Sequence, residues 1–161
     1  MSTFARRRVV QDISRLTKDP PEGVRASPFP DNMMVCHAVI KGPKETLWET
    51  GTFHLIVKFT EEYPTKPPKV KFISKVYHPN VYPDGKICLD ILQNQWSAIY
   101  DISAVLMSIQ SLLTDPNIKS PANTVASNTF ESDRFLYDKN VLRCVEDSWI
   151  PPVITEKTLD F

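Results

Sequence analysis

Residues 78–97 have the sequence HPNVYPDGKICLDILQNQWS. They lie within a longer stretch, 73–100, in which apolar residues follow neither a helical nor a strand period. Pro79, Pro83 and Gly85 interrupt the stretch further. A long irregular segment inside a compact domain is usually functional. We therefore expect functional residues here, and a supporting fold built from the regular elements on either side.

Cys88 is the most informative residue of this segment. It lies three residues after Gly85, beyond a predicted turn at 83–85. A cysteine on a turn is a candidate nucleophile, because a thiolate reacts only where other molecules can reach it. A buried cysteine is also a common small apolar residue. Position alone therefore leaves both interpretations open.

His78 and Asn80 precede the cysteine by a few residues. A histidine near a cysteine suggests a cysteine protease, but nothing in the sequence orients the imidazole as a base, and a structural role is the alternative. The amide of Asn80 does not titrate and can donate two hydrogen bonds. That chemistry suits stabilisation of an oxyanion in acyl transfer, although asparagine is also a common turn residue.

Upstream of this segment, the sequence predicts a helix and then strands. Residues 3–18 carry one apolar stripe, formed by Ala5, Val9, Ile13 and Leu16, and two prolines end the helix. Alternating apolar residues predict strands near 34–40, 53–59 and 69–72. The connections are short, which favours an antiparallel meander over parallel crossovers.

Downstream of residue 100, helical periodicity returns. Residues 102–113 predict a strongly apolar helix, capped by Asp101 or Ser103, and 123–130 predict a short one. The last helix, 133–149, is predicted to have an apolar side formed by Phe135, Leu142, Val145 and Trp149. We expect one α+β domain over residues 1–150, with an N-terminal helix, a four-stranded antiparallel meander sheet and C-terminal helices, and a frayed tail over 151–161.

Composition excludes several classes of protein. The 161 residues have zero formal net charge, so no basic field indicates a nucleic-acid partner. No apolar run is long enough to cross a bilayer, and no signal peptide is visible. The three cysteines are too few for a disulfide framework and indicate a reducing compartment. Cys36, in a strand pattern, and Cys144, in a helix pattern, are interpreted as packing residues.

Metal and nucleotide sites are not expected either. His37, His54 and His78 lack the spacing of paired metal ligands, and the chain has no cysteine pair. Its four scattered glycines form no phosphate-binding loop. The sequence therefore predicts a protein without a cofactor.

Taken together, residues 78–97 resemble the active-site signature of ubiquitin-conjugating enzymes. Tyr63-Pro64 with Pro67-Pro68 resembles the turn ahead of that family's fourth strand, and the resemblance extends from residue 1 to about 150. Three further motifs resemble the branch linked to DNA-damage tolerance and histone ubiquitination. These are Met1-Ser2-Thr3 with Ala5-Arg6-Arg7-Arg8, Asp19-Pro20-Pro21, and Ser120-Pro121-Ala122-Asn123.

The resemblance implies a role for each matching residue. Cys88 corresponds to the cysteine that carries ubiquitin as a thioester. Asn80 corresponds to the asparagine that supports the loop and the oxyanion, and His78 to the histidine that buttresses the loop. Tyr82 and Ser120 correspond to positions beside the incoming lysine. Some relatives have an acid at the position of Ser120, and Ser120-Pro121 is also a candidate phosphorylation site.

The resemblance also implies partners. Ubiquitin, its activating enzyme, RING-type ligases and protein substrates, histones among them, are expected, whereas nucleic acid and membranes are not. ATP is consumed by the activating enzyme. The first helix, with Arg6, Arg7 and Arg8, corresponds to the surface for the activating enzyme. Ligases are expected at that helix, at Thr65, and at the loop that contains Ser97 and Ala98.

Three positions depart from the family pattern. The family commonly has proline where this chain has Ala98, and often an apolar or aromatic residue where it has Thr65. Cys36 stands where close relatives carry tryptophan, so we expect a repacked sheet surface there. No long acidic run is present that would bind histones. Residence in cytoplasm and nucleus, and roles in DNA repair and protein degradation, are expected from the resemblance alone.

Three other functions remain at this point. A non-catalytic relative would keep the fold but lack the cysteine that this chain has. A conjugating enzyme for another ubiquitin-like modifier would share the signature. A cysteine protease would need a titratable base beside Cys88.

Overall fold

The computed structural model describes residues 2–161; Met1, part of one of the branch motifs, lies outside them. The elements in chain order are α1 Phe4–Lys18, β1 Val24–Phe29, β2 Asn32–Lys41, β3 Thr52–Lys58, β4 Lys69–Phe72, a 3₁₀ turn Asp90–Leu92, α2 Ile102–Leu112, α3 Thr124–Ser132, α4 Arg134–Asp147 and α5 Glu156–Leu159. The four strands are antiparallel in the order β1-β2-β3-β4. The predicted α+β class with a meander sheet is confirmed.

Strand β1 is the one strand that the sequence did not indicate individually. Its residues Val24–Phe29 include Ser27 and Pro28, which weaken the strand signal. The structure places this strand at the edge of the sheet, where a proline is tolerated because its missing N–H faces away from the ladder. The register shifts between Pro28 and Phe29.

The core lies between the inner face of the sheet and helices α1 and α2. Helix α2 contributes four fully buried side chains, Ile102, Val105, Leu106 and Ile109. Asp101 caps the helix, accepting a hydrogen bond from Ala104 N at 2.9 Å, as the sequence predicted. Helix α1 buries Ala5, Val9 and Leu16 of its predicted stripe. The two helices thus fix the side of the sheet that becomes the interior.

A buried polar network joins α1 to the loop before β4. Asp12 is completely buried and accepts hydrogen bonds from the Tyr63 hydroxyl and from Arg8 Nε. Arg8 Nη2 also donates to Tyr100 O at 2.8 Å. Burial, followed by the hydrogen bond to Asp12, raises the pKa of Tyr63. A buried carboxylate is tolerated here because it has two donors.

Replacing Asp12 with alanine should lower the free energy of unfolding by about 3 kcal/mol, because a buried hydroxyl and a half-buried guanidinium lose their acceptor. Urea denaturation would measure the change. Gln11→Ala, an exposed substitution on the same helix, is the matched control and should change stability by less than about 0.5 kcal/mol. An equal effect of the two substitutions would contradict the structural role of Asp12.

Helix α4 buries a different side from the one predicted. Phe135 and Trp149 are 82% and 60% exposed, and Leu142 is also exposed. The buried residues of the helix are Tyr137, Val141 and Val145, at i, i+4 and i+8. The prediction was wrong for all its residues except Val145, because α4 packs through a narrow stripe whose first member is a tyrosine, which the apolar pattern did not favour.

Cys36 faces the core and is fully buried, so the repacking expected at this position concerns the inner face of the sheet. The alternation of β2 places even-numbered residues inside. Burial raises the pKa of the Cys36 thiol to about 12, which keeps it protonated and unreactive. Its interpretation as a packing residue is confirmed. Cys144 is half-buried on α4, and burial raises its pKa too.

The last residues are not frayed, contrary to expectation. Residues 156–159 form the short helix α5, whose start is capped by Thr155. Lys58 Nζ donates to Leu159 O at 2.8 Å and to Phe161 O at 3.0 Å. No local sequence pattern indicates these contacts, since they join residues about 100 positions apart. Within residues 2–161, no helix has the length and apolar character that crossing a membrane requires.

Candidate active site

The irregular segment is attached to the edge of the sheet at β4. Phe72 N donates to Gly85 O at 2.9 Å, and isolated bridges join Lys71 to Lys86 and Val81 to Ile87. Gly85 has a φ of 95°, and a Cβ there would lie 2.0 Å from Phe72 O. Only glycine fits here, because any side chain would collide with the Phe72 carbonyl. The turn can therefore pack directly against β4.

Cys88 lies three residues after Gly85 and is half-buried. Its N–H donates to Asn80 O at 2.8 Å, which fixes the backbone under the thiol. The residue lines an open groove between its own loop and the exposed side of α2, with walls formed by Leu89, Ile91, Met107, Ser108, Asp115 and Asn117. Cys88 is therefore accessible from an open groove.

His78 is fully buried, and both of its ring nitrogens have partners. Nδ1 accepts from Asn80 N at 2.9 Å, so Nε2 carries the hydrogen and donates to Leu112 O at 2.6 Å. Burial lowers the pKa of His78 to about 4. The imidazole is neutral and locked in one tautomer. It buttresses the loop and has no nitrogen free to act as a base toward Cys88.

This burial predicts a pH dependence of stability. Between about pH 6.5 and pH 4 the unfolded chain binds a proton at His78 that the folded protein does not bind. The contribution of His78 to the free energy of unfolding should therefore be constant above pH 6.5. It should decrease below that, by at most about 1.4 kcal/mol per pH unit. Urea titrations at pH 7.5, 6 and 5 would measure the slope.

His37 and His54 contribute with the same sign, because burial lowers both of their pKa values. The double variant His37→Gln/His54→Gln therefore serves as the control. It should retain a falling stability between pH 6.5 and 5. If the free energy of unfolding of that variant did not change between pH 6.5 and 5, protonation of His78 would not destabilise the folded protein.

Asn80 joins the cysteine loop to the loop after α2. The side chain is 1% exposed. Its Nδ2 donates to Asn117 O at 2.7 Å and to Ser120 O at 3.2 Å, and its Oδ1 accepts from Asn117 N at 2.7 Å. Both amide hydrogens are thus used within the protein. The observed role is loop support; a role at an oxyanion requires release of one of these bonds.

Tyr82 and Ser120 lie on the surface around this junction. Tyr82 is 45% exposed on the clamped turn, with its N–H bonded to Lys86 O. Ser120 is exposed, and its carbonyl oxygen is one of the two acceptors of the Asn80 amide. The structure thereby brings the loop of Ser120 next to residues that precede it by 40 positions.

Two further residues belong to the site. Asn117 supplies both backbone groups that hold the Asn80 amide, and Asp115 lines the groove beside Cys88. Sequence reasoning did not single them out. The one available signal was the Asp115-Pro116-Asn117 turn that ends the α2 pattern, and turn composition alone does not distinguish a site from a helix end.

The candidate partner residues form one continuous surface. Trp96 Nε1 donates to Pro64 O at 2.8 Å, which holds the loop of Ser97 and Ala98 against the turn of Thr65. Thr65 and Ala98 are exposed, and Ser97 is half-buried.

Helix α1 borders that surface. Arg6 pairs with Glu61 at 3.1 Å, and Arg8 is held by Asp12 and Tyr100 O. Arg7 is exposed whereas Arg6 and Arg8 are half-buried, and within residues 2–161 the hydrogen bond of its side chain is to Ser2 O. Arg7 is thus the arginine whose charge is most available to a partner.

A metal centre is not indicated by the described chain: residues 2–161 contain no cluster of three histidine, cysteine or acidic side chains placed to hold an ion. The site is instead a reachable thiol beside a loop junction rich in hydrogen-bond donors, with its nearby histidine engaged elsewhere. This geometry suits a cysteine that carries an acyl group and passes it on, rather than one that hydrolyses a peptide.

Comparison with known proteins identifies the family to which this chain belongs. Residues 8–145 match the family model described as "Ubiquitin-conjugating enzyme". Ubiquitin-conjugating enzyme E2 2 of Candida albicans is 58% identical over 149 residues, covering 92% of this chain and 83% of that protein. The Fusarium solani protein of the same name is 59% identical, covering 92% and 99%. Ubiquitin-conjugating enzyme E2 1 of Caenorhabditis elegans is 55% identical over 150 residues, covering 93% and 78%.

The chain belongs to the ubiquitin-conjugating enzyme family. It is an acyltransferase that receives ubiquitin from the activating enzyme as a thioester and passes it, with a ligase, to a lysine amine.

Proposed function

We propose that Cys88 is the residue that carries ubiquitin, and that the groove beside it holds the extended end of the ubiquitin chain. The observation that carries this proposal is the placement of a reachable thiol at the groove, on a loop fixed by Asn80. Cys36 is buried in the core, and Cys144 lies on α4 with a raised pKa. The proposed catalytic unit is residues 1–150, with 151–161 as an appended tail.

The transfer step follows from this geometry. The lysine amine, once deprotonated, attacks the carbonyl carbon of the thioester and forms a tetrahedral oxyanion. Collapse breaks the C–S bond, the Cys88 thiolate leaves, the nitrogen releases its extra proton to solvent, and an isopeptide bond remains. The protein has to hold the two reactants in line and support the developing charge. His78 and Asn80 shape the loop for this step, and Tyr82 and Ser120 flank the lysine. No cofactor is needed, since ATP acts upstream.

The experiment that tests this function is a panel of loading reactions. The protein is incubated with ATP and, in separate tubes, with ubiquitin or another ubiquitin-like modifier, each with its own activating enzyme. A thiol-sensitive adduct with ubiquitin alone supports the proposal. An adduct formed only with another modifier would reassign the substrate, and no adduct at all from folded protein would favour a binding role.

Ser120 offers a charge test of the lysine site. Ser120→Asp should discharge ubiquitin to free lysine about fivefold faster than Ser120→Asn, since two unit charges 4 Å apart in water interact by about 1 kcal/mol. The added carboxylate attracts and orients the lysine ammonium, and it can accept the proton that the amine loses when it attacks. Single-turnover discharge would measure the rates. Equal rates for the two variants would remove Ser120 from the proposed lysine site, and a phosphate on Ser120 would then have no effect through charge.

The proposed ligase and activating-enzyme surface consists of α1, the turn of Thr65 and the loop of Ser97 and Ala98. Its support is the continuity given by the Trp96–Pro64 hydrogen bond and the Arg8–Tyr100 hydrogen bond. RING-type ligases are the proposed partners. Charge reversal at Arg7 should slow loading, and Ala98→Pro should restore the family pattern and strengthen ligase-dependent discharge.

Within the family, we assign the chain to the branch linked to DNA-damage tolerance and histone ubiquitination. The support is the motifs at residues 1–8, 19–21 and 120–123. Histones among the substrates, roles in DNA repair and protein degradation, and residence in nucleus and cytoplasm follow from this assignment. Ligase-dependent modification of reconstituted nucleosomes would test it, with free ubiquitin-chain synthesis as the opposing result.

A further inference from the structure

A line of large apolar side chains lies on the exposed side of α4. Phe135, Leu142 and Trp149 are 82%, 44% and 60% exposed. They follow one another at intervals of seven residues, so each is rotated by only about 20° around the helix from the one before. Another side of the helix packs on the core. Single exposed apolar residues are common, but a continuous line of them marks an interaction site. We call Phe135, Leu142 and Trp149 the α4 stripe.

The α4 stripe is held in place at its C-terminal end. Helix α4 ends at Asp147, but Trp149 N donates to Glu146 O at 3.1 Å, so the chain continues in a tight turn that keeps Trp149 next to the helix. Trp149 Nε1 donates to Thr50 O at 2.9 Å, which directs the polar edge of the indole toward the domain. The rest of the ring is apolar and exposed. An aromatic ring that is already fixed loses little conformational entropy when a partner buries it.

Two charged residues, Lys139 and Glu146, flank the α4 stripe on the same side. Both are exposed, and they are also seven residues apart. The separation along the helix is about 10 Å, which is too long for the two to pair with each other. Within residues 2–161, neither takes part in an ion pair. A partner that fits this surface should therefore present an apolar line together with one charge of each sign.

The surface is complementary to itself when two copies of α4 pack antiparallel. A two-fold axis through Leu142 sets Phe135 of one copy opposite Trp149 of the other, since each lies seven residues from Leu142. Lys139 precedes Leu142 by three residues and Glu146 follows it by four. The axis therefore brings Lys139 of one copy within about 1.5 Å, along the helix, of Glu146 of the other, on the same flank and twice per pair. A two-fold interface uses the same patch on both copies and requires such self-complementarity.

We propose that α4 is a self-association surface, through which two copies of this chain form an antiparallel, two-fold symmetric dimer. Each copy contributes one short helix, which is at the small end of specific interfaces, so the dissociation constant should be on the order of 10–100 μM. The α4 stripe shares no residue with the groove of Cys88 or with the surface formed by α1, Thr65 and Ala98. The dimer should therefore load ubiquitin as the monomer does.

Sedimentation equilibrium of the full chain, between about 5 and 500 μM, tests the dimer. Wild type should change from monomer to dimer over this range. Leu142→Glu places two carboxylates together at the two-fold axis and should raise the dissociation constant at least about tenfold. Leu136→Glu is the matched control, because Leu136 is 40% exposed on the same helix but points away from the α4 stripe. It should leave the dissociation constant within about twofold of wild type.

An exchange of charges tests the antiparallel register. Lys139→Glu alone, or Glu146→Lys alone, should weaken association about five- to tenfold, since each sets like charges against each other at both flanking contacts. The double variant Lys139→Glu/Glu146→Lys restores both contacts with the signs exchanged. Its dissociation constant should return to within about twofold of wild type, and added salt should weaken both dimers.

Three results would overturn the proposal. The first is a wild-type chain that stays monomeric at the highest concentration. The second is a dimer that persists in Leu142→Glu, because the contact would then lie on another surface. The third is a double variant that associates no better than the two single ones. Circular dichroism and ubiquitin loading show that each variant is folded. Loading by the monomeric Leu142→Glu should match wild type, so the loss of the dimer is distinguishable from a loss of ubiquitin transfer.

Discussion

Replacing Cys88 with alanine should abolish the ATP-dependent ubiquitin adduct completely. The reason is that, among the described residues that line the groove, Cys88 supplies the one thiol, and a thiolate is a far better nucleophile toward a thioester than a serine hydroxyl. Non-reducing gels after incubation with ubiquitin, activating enzyme and ATP would measure it. Cys88→Ser provides a chemical signature, because its oxyester should survive reducing agent whereas the thioester should not.

Cys144→Ser is the matched control for this experiment. It removes a half-buried thiol outside the groove and should leave the adduct intact. An adduct that persists in Cys88→Ala but disappears in Cys144→Ser would move the carrier site to α4. Persistence in both single variants would contradict a thioester on either residue.

Asn80→Ser should load ubiquitin but discharge it to lysine about 10²- to 10³-fold more slowly, the usual effect of losing one donor at a developing oxyanion. Serine also cannot bridge the bonds that the Asn80 amide makes to Asn117 and Ser120, so the loop after α2 loses its anchor. Both effects act on the transfer step. A pulse-chase discharge assay with free lysine would measure the rate.

Asn128→Ser, at an exposed asparagine on α3, is the control and should discharge at the wild-type rate. Discharge by Asn80→Ser within about threefold of wild type would remove the residue from the transfer step. Equal losses of loading and discharge would instead indicate a general loss of structure, which thermal unfolding would reveal.

The sequence predicted well those elements whose apolar residues follow one period and are all buried in the same core. Helix α2 is apolar and enclosed, so its pattern, cap and end all agreed. Helix α4 shows the opposite case, since Phe135 and Trp149 are exposed apolar residues that mimic a core stripe. Local pattern cannot tell an apolar residue that finds the core from one that does not.

At the site, sequence reasoning predicted Cys88 as a candidate nucleophile because it lies in an irregular, turn-rich segment, and the family resemblance favoured that interpretation over packing. It could not find Asn117, whose backbone groups meet Asn80 only after the chain has folded over 37 positions. The C-terminal residues 151–161 illustrate the same limit, because Lys58, which holds them, is 101 residues from Leu159. Contacts of this kind are set by topology, and no local signal encodes them.

The hydrogen bonds of Asn80 also bear on the lifetime of the ubiquitin thioester. At rest, both hydrogens of the amide are committed to Asn117 O and Ser120 O. An exchange of partners must precede any support of an oxyanion. We expect a bound lysine and ligase to supply interaction energy for that exchange, and a single water molecule to supply less. On the proposed role of Asn80, we therefore expect slow hydrolysis of the loaded ubiquitin in the absence of an acceptor lysine.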